Sequence, residues 1–377
     1  RSAMRCMTWV GSIGGICDPS RTSISGPLMR TELQSLSKIF SESIFRIPDY
    51  QRGFSWSERQ LKEYWNDLVD LEDANNHYTG VLTLEIVAPE IWSRWEDDRW
   101  IIESKKYRPY HIVDGQQRLT TSIILIQAIL ERMEDGDQLN HYSKSEIYSK
   151  YISQKPNREA ITFALLFGYE KDNPSYEFLK SKVLGLESGK HSLEEETIYT
   201  KNLSCAKDFF VGKLKELDLA GIELIFEKLT QRFLFNTFMI SDEVDVFVAF
   251  ETMNNRGKPL SNLEILKNRL IYLSTKVAVA DGQDPPIERS GLRSVINESW
   301  KAAYHYLGKI SGSQLRDDSF LLMHFFVYFG GEVIDFEGEH PEWDVMELED
   351  GSGYKDFLLD EVFTVRRISS DSKMLSV

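Results

Sequence analysis

Apolar side chains recur along this chain at two spacings, alternate positions typical of strands and every third or fourth position typical of helices. Between residues 31 and 135 the two spacings take turns; from about residue 140 the helical one predominates. A helix-like stretch over 31–40 gives way to the strand-like run Ile44-Phe45-Arg46-Ile47, then to a polar loop over 48–56. Ser57 and Gln60 supply a capping box for a helix running to Asp70. Its apolar residues Leu61, Tyr64, Trp65, Leu68 and Leu71 fall on one stripe, which predicts burial of that face. Residues 81–87 alternate as a strand, and 92–103 read as a loop or hairpin. A strand over 107–113 then runs through residues 114–118 into an Ile- and Leu-rich helix over 119–133.

Further along, Pro174 opens a helix over 175–183 and a second is expected over 194–217. Residues 233–240 fit either a strand returning to the first layer or a continuation of the preceding helix. Residues 245–253 are apolar at helical spacing, and Ser261 with Glu264 forms a second capping box before 266–273. The apolar run 316–329 predicts a buried helix. The pattern as a whole predicts an α+β protein, an α/β domain over 29–137 followed by a mostly α-helical domain over 138–377. Residues 1–28 show no periodicity and read as a leader or appended segment foreign to the fold.

Composition adds three bounds. The chain is 377 residues long, enough for more than one domain, and no run approaches the ~18 apolar residues of a membrane span. Its three cysteines (Cys6, Cys17 and Cys205) lack metal-ligand spacing and suit a reducing cytoplasm. The net charge of -15 is concentrated: 317–354 has no Lys or Arg and accounts for -11, leaving -4 elsewhere. DNA is therefore a permitted partner for the first half. The acidic segment reads as a solvated face or flexible connection, with a DNA-mimicking surface as the alternative.

Candidate chemistry gathers at Asp114-Gly115-Gln116-Gln117-Arg118. A strand turning into a helix presents unpaired N–H groups backed by the helix dipole, which attract phosphate. Asp114 and Gly115 alone are ordinary cap and turn residues. An Arg in the first helical turn is disfavoured by the dipole, so Arg118 implies an anion to balance it; Thr120 and Thr121 add hydroxyls. The loop around Tyr50, Gln51 and Arg52 has side chains that can stack a base, pair with its edge and hold a phosphate. The plainer account makes its aromatics core anchors, and Phe54 and Trp56 are assigned there. Asn255, Arg256 and Lys258 crowd a Gly-centred turn and can reach a phosphate or simply form a helix joint. The seven histidines are scattered, and His324, in an apolar helix, reads as a core residue. No Walker A, Gly-x-Ser-x-Gly or zinc-finger spacing occurs.

Three stretches, IPDYQRGFSW at 47–56, DGQQRLTT at 114–121 and FETMNNRGKPLSNLEILKN at 250–268, together resemble the N-terminal domain of GmrSD-type modification-dependent restriction systems. YTGVLTLE at 78–85 is similar to the family's second strand, and the likeness runs from about Thr31 to about Ser274. The resemblance implies a ParB/sulfiredoxin-like fold for the first domain and an Mg²⁺-dependent NTPase serving phage defence. The nucleoside triphosphate would be GTP or ATP-like. Asp114 would act on the metal or the attacking water, and Gln116, Gln117 and Arg118 would contact phosphates. Arg118→Ala is then expected to abolish hydrolysis while leaving the fold intact. Modified DNA and a nuclease domain or subunit are the implied partners, with no membrane and with homo-oligomerisation open. The alternatives are a non-catalytic DNA-binding sensor or scaffold, and a ParB-like nuclease acting alone. Family members often continue into a His-Asn-His nuclease domain that these residues do not contain.

Overall fold

The computed structural model describes residues 32–48, 51–72, 74–157, 160, 162–171, 173, 175–186, 197–240, 261–276, 285–309, 317–335, 353–364 and 366–367. All of these lie in one unit, Glu32–Val377. The strands are β1 (Glu32–Ser35), β2 (Ser43–Ile47), β3 (His77–Ile86), β4 (Arg108–Asp114), β5 (Gln138–Leu139), β6 (Tyr142–Ser143), β7 (Ser153–Gln154), β8 (Ala164–Leu165), β9 (Phe167–Tyr169) and β10 (Phe233–Ile240). Helices in the first half are α1 (Leu36–Ile39), α2 (Glu58–Val69), α3 (Pro89–Trp92), α4 (Arg99–Lys105), α5 (Gln116–Arg132) and α6 (Lys144–Tyr151). Then come α7 (Tyr176–Phe178), α8 (Ile198–Lys215), α9 (Leu219–Glu227), α10 (Asn262–Lys276), α11 (Pro285–Lys309), α12 (Asp317–Asp335) and α13 (Tyr354–Asp356). The protein is α+β.

Six strands form one mixed sheet in the order β1-β10-β3-β4-β2-β9. β2 runs parallel to both β4 and β9, β10 runs parallel to β3, and the β1–β10 and β3–β4 pairs are antiparallel. All five residues of β2 are buried, as expected of a strand covered on both faces. That includes Arg46, whose guanidinium pairs with Asp98, donates to Phe45 O (2.8 Å) and Leu165 O (2.7 Å), and lies over the Trp95 ring. Asp98 also accepts from Leu165 N at 3.1 Å, so the ion pair is closed on every side.

β9 and β10 come from beyond residue 137, and one hydrophobic core runs from Leu36 to Phe235 around the whole sheet. A second core, from Leu263 to Val362, is built by α10 to α13 and the π-helical turn Phe357–Val362 that follows. α2 buries Leu61, Tyr64, Trp65 and Leu68 as its stripe predicts, with Ser57 N donating to Gln60 Oε1 at 3.0 Å. The ambiguous residues 233–240 form a strand, β10.

Four expectations change. Residues 31–40 are not one helix: β1 pairs with β10 (Glu32↔Thr237), and only a single helical turn, α1, follows. The supposed loop at 92–103 holds the end of α3 and most of α4, because Trp95, Ile101 and Ile102 are drawn into the core. α12 is not wholly buried: Leu321 and Phe325 face the second core while Met323, Phe326 and Val327 are exposed. His324 is likewise exposed and stacks on Phe320, so it is not a core histidine. Residues 245–253 lie outside the described residues. Among the described residues, no helix is long and apolar enough to cross a membrane.

Candidate functional site

β4 buries Tyr110 and Ile112, ends at Asp114 and turns into α5 at Gly115. Gly115 has φ +89°, and a Cβ there would lie 2.9 Å from Val81 O, so both backbone and space demand glycine. α5 is buried throughout residues 119–130. Its polar residues are accommodated by back-bonding: Thr120 Oγ1 donates to Gln116 O (2.7 Å), Thr121 Oγ1 to Gln117 O (2.8 Å) and Ser122 Oγ to Arg118 O (2.9 Å). Thr120 and Thr121 are 1% and 0% exposed, so the expectation that their hydroxyls meet a ligand gives way to a role in helix packing.

Arg118 has its anion inside the protein. One Nη2 donates to Val81 O at 2.9 Å and reaches Asp114 Oδ2 at 3.3 Å, while Nη1 donates to Thr79 O at 3.1 Å. The guanidinium rests directly over Gly80 (φ +129°), where a Cβ would come within 1.6 Å of Nη1. The balancing charge that the sequence assigned to phosphate is thus supplied by Asp114 and two strand carbonyls. Arg118→Ala is therefore no clean probe, since it would also loosen β3. Burial pushes the Asp114 carboxyl up, opposed by the Arg118 charge, the Gly115 N–H and the field of Arg52. The side chains of Asp114 and Arg118 remain 20% and 13% exposed, so the turn is neither sealed nor open.

The loop before α2 is stitched to this turn. Gln117 Nε2 donates to Gly53 O (3.1 Å) and Gln117 Oε1 accepts from Ser55 N (2.8 Å). Gln51 Nε2 donates to Ile112 O and Val113 O at 2.9 and 3.0 Å, and Asn202 Nδ2 donates to Phe54 O at 3.1 Å. Phe54 and Trp56 are core anchors, as expected. Arg52 is buried, with Nε 2.9 Å from Glu264 Oε1 and Nη1 3.7 Å from Asp317 Oδ2. Gln51 and Gln117 thus spend their amides inside the fold, and Arg52 is turned to internal carboxylates, although its buried Nε makes no hydrogen bond, rather than to a base or phosphate. Tyr50, Asn255, Arg256 and Lys258 lie outside the described residues.

What the turn does offer is unmet polar capacity. Gln116 Oε1, Ser55 Oγ and Thr79 Oγ1 are buried and make no hydrogen bond within the protein. Each belongs to the turn or to a residue bonded to it, and a buried polar atom left so costs about 1–3 kcal/mol. The site thus consists of Asp114, the N-terminus of α5 and these acceptors. Among the described residues no three His, Cys, Asp or Glu side chains are placed to share a metal. Sequence reasoning missed Thr79, Gly80, Asn202, Tyr199, Glu264 and Asp317 as supports. Only Gly80 carried a legible signal, since a glycine inside a strand marks close approach by another group.

A family model described as GmrSD restriction endonuclease, N-terminal domain, matches residues 36–271, well over half of the chain. The matched span contains the 47–56 loop, the 114–121 turn and the whole 250–268 stretch. No curated protein matches the chain.

Proposed function

The chain belongs to the family of GmrSD restriction endonuclease N-terminal domains, and from that premise we propose that it binds and hydrolyses nucleoside triphosphates for a bacterial anti-phage system. In this reading it works in the cytoplasm, hydrolysis serves restriction of modified DNA, and the cut is made by a nuclease domain or partner subunit. The observation that carries the proposal is the Asp114–Arg118 turn, where a largely buried carboxylate, a helix N-terminus and the unmet Gln116 oxygen converge.

Phosphoryl transfer requires positioning and charge neutralisation more than covalent help from the protein. Mg²⁺ arriving with the triphosphate would need only one or two protein carboxylates, and Asp114 would supply one. Bound Mg²⁺ would neutralise phosphate charge. The first N–H groups of α5 receive the polyphosphate, and the Gln116 amide oxygen accepts from a substrate hydroxyl or the attacking water. Arg118 keeps its structural anchorage, orients Asp114 and adds positive charge at short range. Gln117 holds the neighbouring loop in place.

The test is equilibrium binding of labelled GTP and ATP with Mg²⁺, followed by turnover across four triphosphates, with and without modified DNA. Gln116→Ala and Asp114→Asn should each weaken binding or turnover at least ~10-fold in folded protein, about 1.4 kcal/mol. A wild-type protein with no saturable triphosphate binding would refute the proposal and favour a DNA-phosphate sensor at the same turn. Cleavage of plasmid by the chain alone would favour the solitary nuclease.

A further inference from the structure

We infer that Arg52 is a positioning residue that couples the C-terminal helical core to the Asp114–Arg118 turn. The inference deepens the nucleotide reading and rests on it for its kinetic arm only.

Arg52 sits where the two cores meet. Glu264 and Asp317, its two carboxylate partners, lie in the first turns of α10 and α12 and line up through Ser261. Ser261 N and Oγ donate to Glu264 Oε2 at 2.9 and 3.2 Å, and Ser261 Oγ also reaches Asp317 Oδ2 at 3.3 Å. Glu264 thus caps its own helix with one oxygen and holds Arg52 with the other. The residue after Arg52 is clasped as well. A Cβ on Gly53 would lie 2.5 Å from the Tyr199 ring, and one on Gly308 of α11 would lie 2.8 Å from the same ring. Tyr199 is therefore pinched between the loop and the second core.

From this latch to the site there is little slack. Gly53 O and Ser55 N are the two groups gripped by Gln117, whose backbone is the first turn of α5. The charge of Arg52 is also felt at Asp114. A buried ion pair is costly to break, so the latch has two discrete conditions, made or released, rather than a graded one. Releasing Arg52 frees the 53–55 backbone and with it the grip on α5, which displaces Gln116 and Asp114 together. The grip of Gln117 on the 53–55 backbone thereby links nucleotide occupancy at the turn to the docking of α10 and α12.

The experiment uses Glu264→Gln in the full chain, a change that touches no residue of the turn. Backbone amide exchange should accelerate at least ~10-fold in two segments, at Ser55, whose N–H is bonded to Gln117 Oε1, and at Leu119, whose N–H is bonded to Gly115 O, while exchange in the middle of α5 stays as in wild type. Unchanged exchange at both segments in folded Glu264→Gln overturns the inference. In the kinetic arm, Glu264→Gln and Gln117→Ala should each lower kcat for the triphosphate more than they raise KM. The double variant should be no worse than the more damaging single one, because both cut the same chain. Strictly additive losses count against coupling. Should Glu264→Gln fail to fold, Asp317→Asn, which removes the charge at the 3.7 Å arm and leaves the Arg52–Glu264 pair in place, is read by the same exchange criterion. A wild type that binds no triphosphate sinks the nucleotide reading, and the exchange arm still decides the coupling.

Discussion

Arg46 and Arg52 flank the same strand–loop segment, both are buried, and they do opposite things. Arg46 closes a circuit within the first core: Asp98, two carbonyls and the Trp95 face use its charge and its donors. Arg52 reaches out of that core to carboxylates on two helices of the second. The first arrangement is a fixture, since all its partners, on β2, β8 and the approach to α4, belong to one core. The second depends on how α10 and α12 sit, so it carries information between regions. Burial and pairing alone do not separate a fixture from a coupling element; what separates them is whether the partners share one core.

The sharpest way to break this comparison is Arg46→Met, which strands Asp98 unpaired. It should cost about 3–5 kcal/mol in urea unfolding, and adding Asp98→Leu should restore much of the loss. Arg52→Met should cost less, about 1.5–3 kcal/mol, because Glu264 keeps its Ser261 bonds. Equal losses for the two variants would erase the distinction. Gly80→Ala extends the test to Arg118: the strained φ and the intruding Cβ should cost about 1–3 kcal/mol and lower triphosphate turnover through a displaced guanidinium.

The smallest expected effect is in pH. Burial raises the Asp98 carboxyl above its usual range, against the pull of Arg46 and the Leu165 N–H. The folded state then holds that proton more tightly than the unfolded chain does. This group's contribution to stability is accordingly complete below about pH 3.9, the unfolded aspartate value, and is lost as pH rises through the raised folded value. Asp98→Asn should flatten that part of the urea-midpoint profile, and an unchanged profile would show that the Arg46 pair dominates.

How much of this was legible beforehand follows the range of each interaction. The α2 stripe, both capping boxes and the β4–turn–α5 junction are local, and the sequence patterns locate them. β1 was hidden because its partner among the described residues, β10, lies some two hundred residues away (Glu32↔Thr237). The site residues show the same divide. Asp114, Gly115 and Gln116 stand where a strand-to-helix turn puts them. Apart from Asp114 beside Arg118, the internal partners of Gln51, Arg52, Gln117 and Arg118 lie on other segments, so four polar side chains that looked available are engaged within the fold. Thr120 and Thr121 misled for a different reason, since a hydroxyl next to a turn looks the same in sequence whether it faces solvent or its own helix.

The position of β10 has a consequence for biosynthesis. It fills the slot between β1 and β3, yet it is made long after both. On a ribosome adding roughly 5–20 residues each second, β3 waits on the order of ten to thirty seconds for that neighbour. Throughout the wait its bare margin can recruit any extended peptide nearby. Chains truncated ahead of Phe233 should therefore accumulate as inclusion bodies, whereas an otherwise intact product keeps the slot filled.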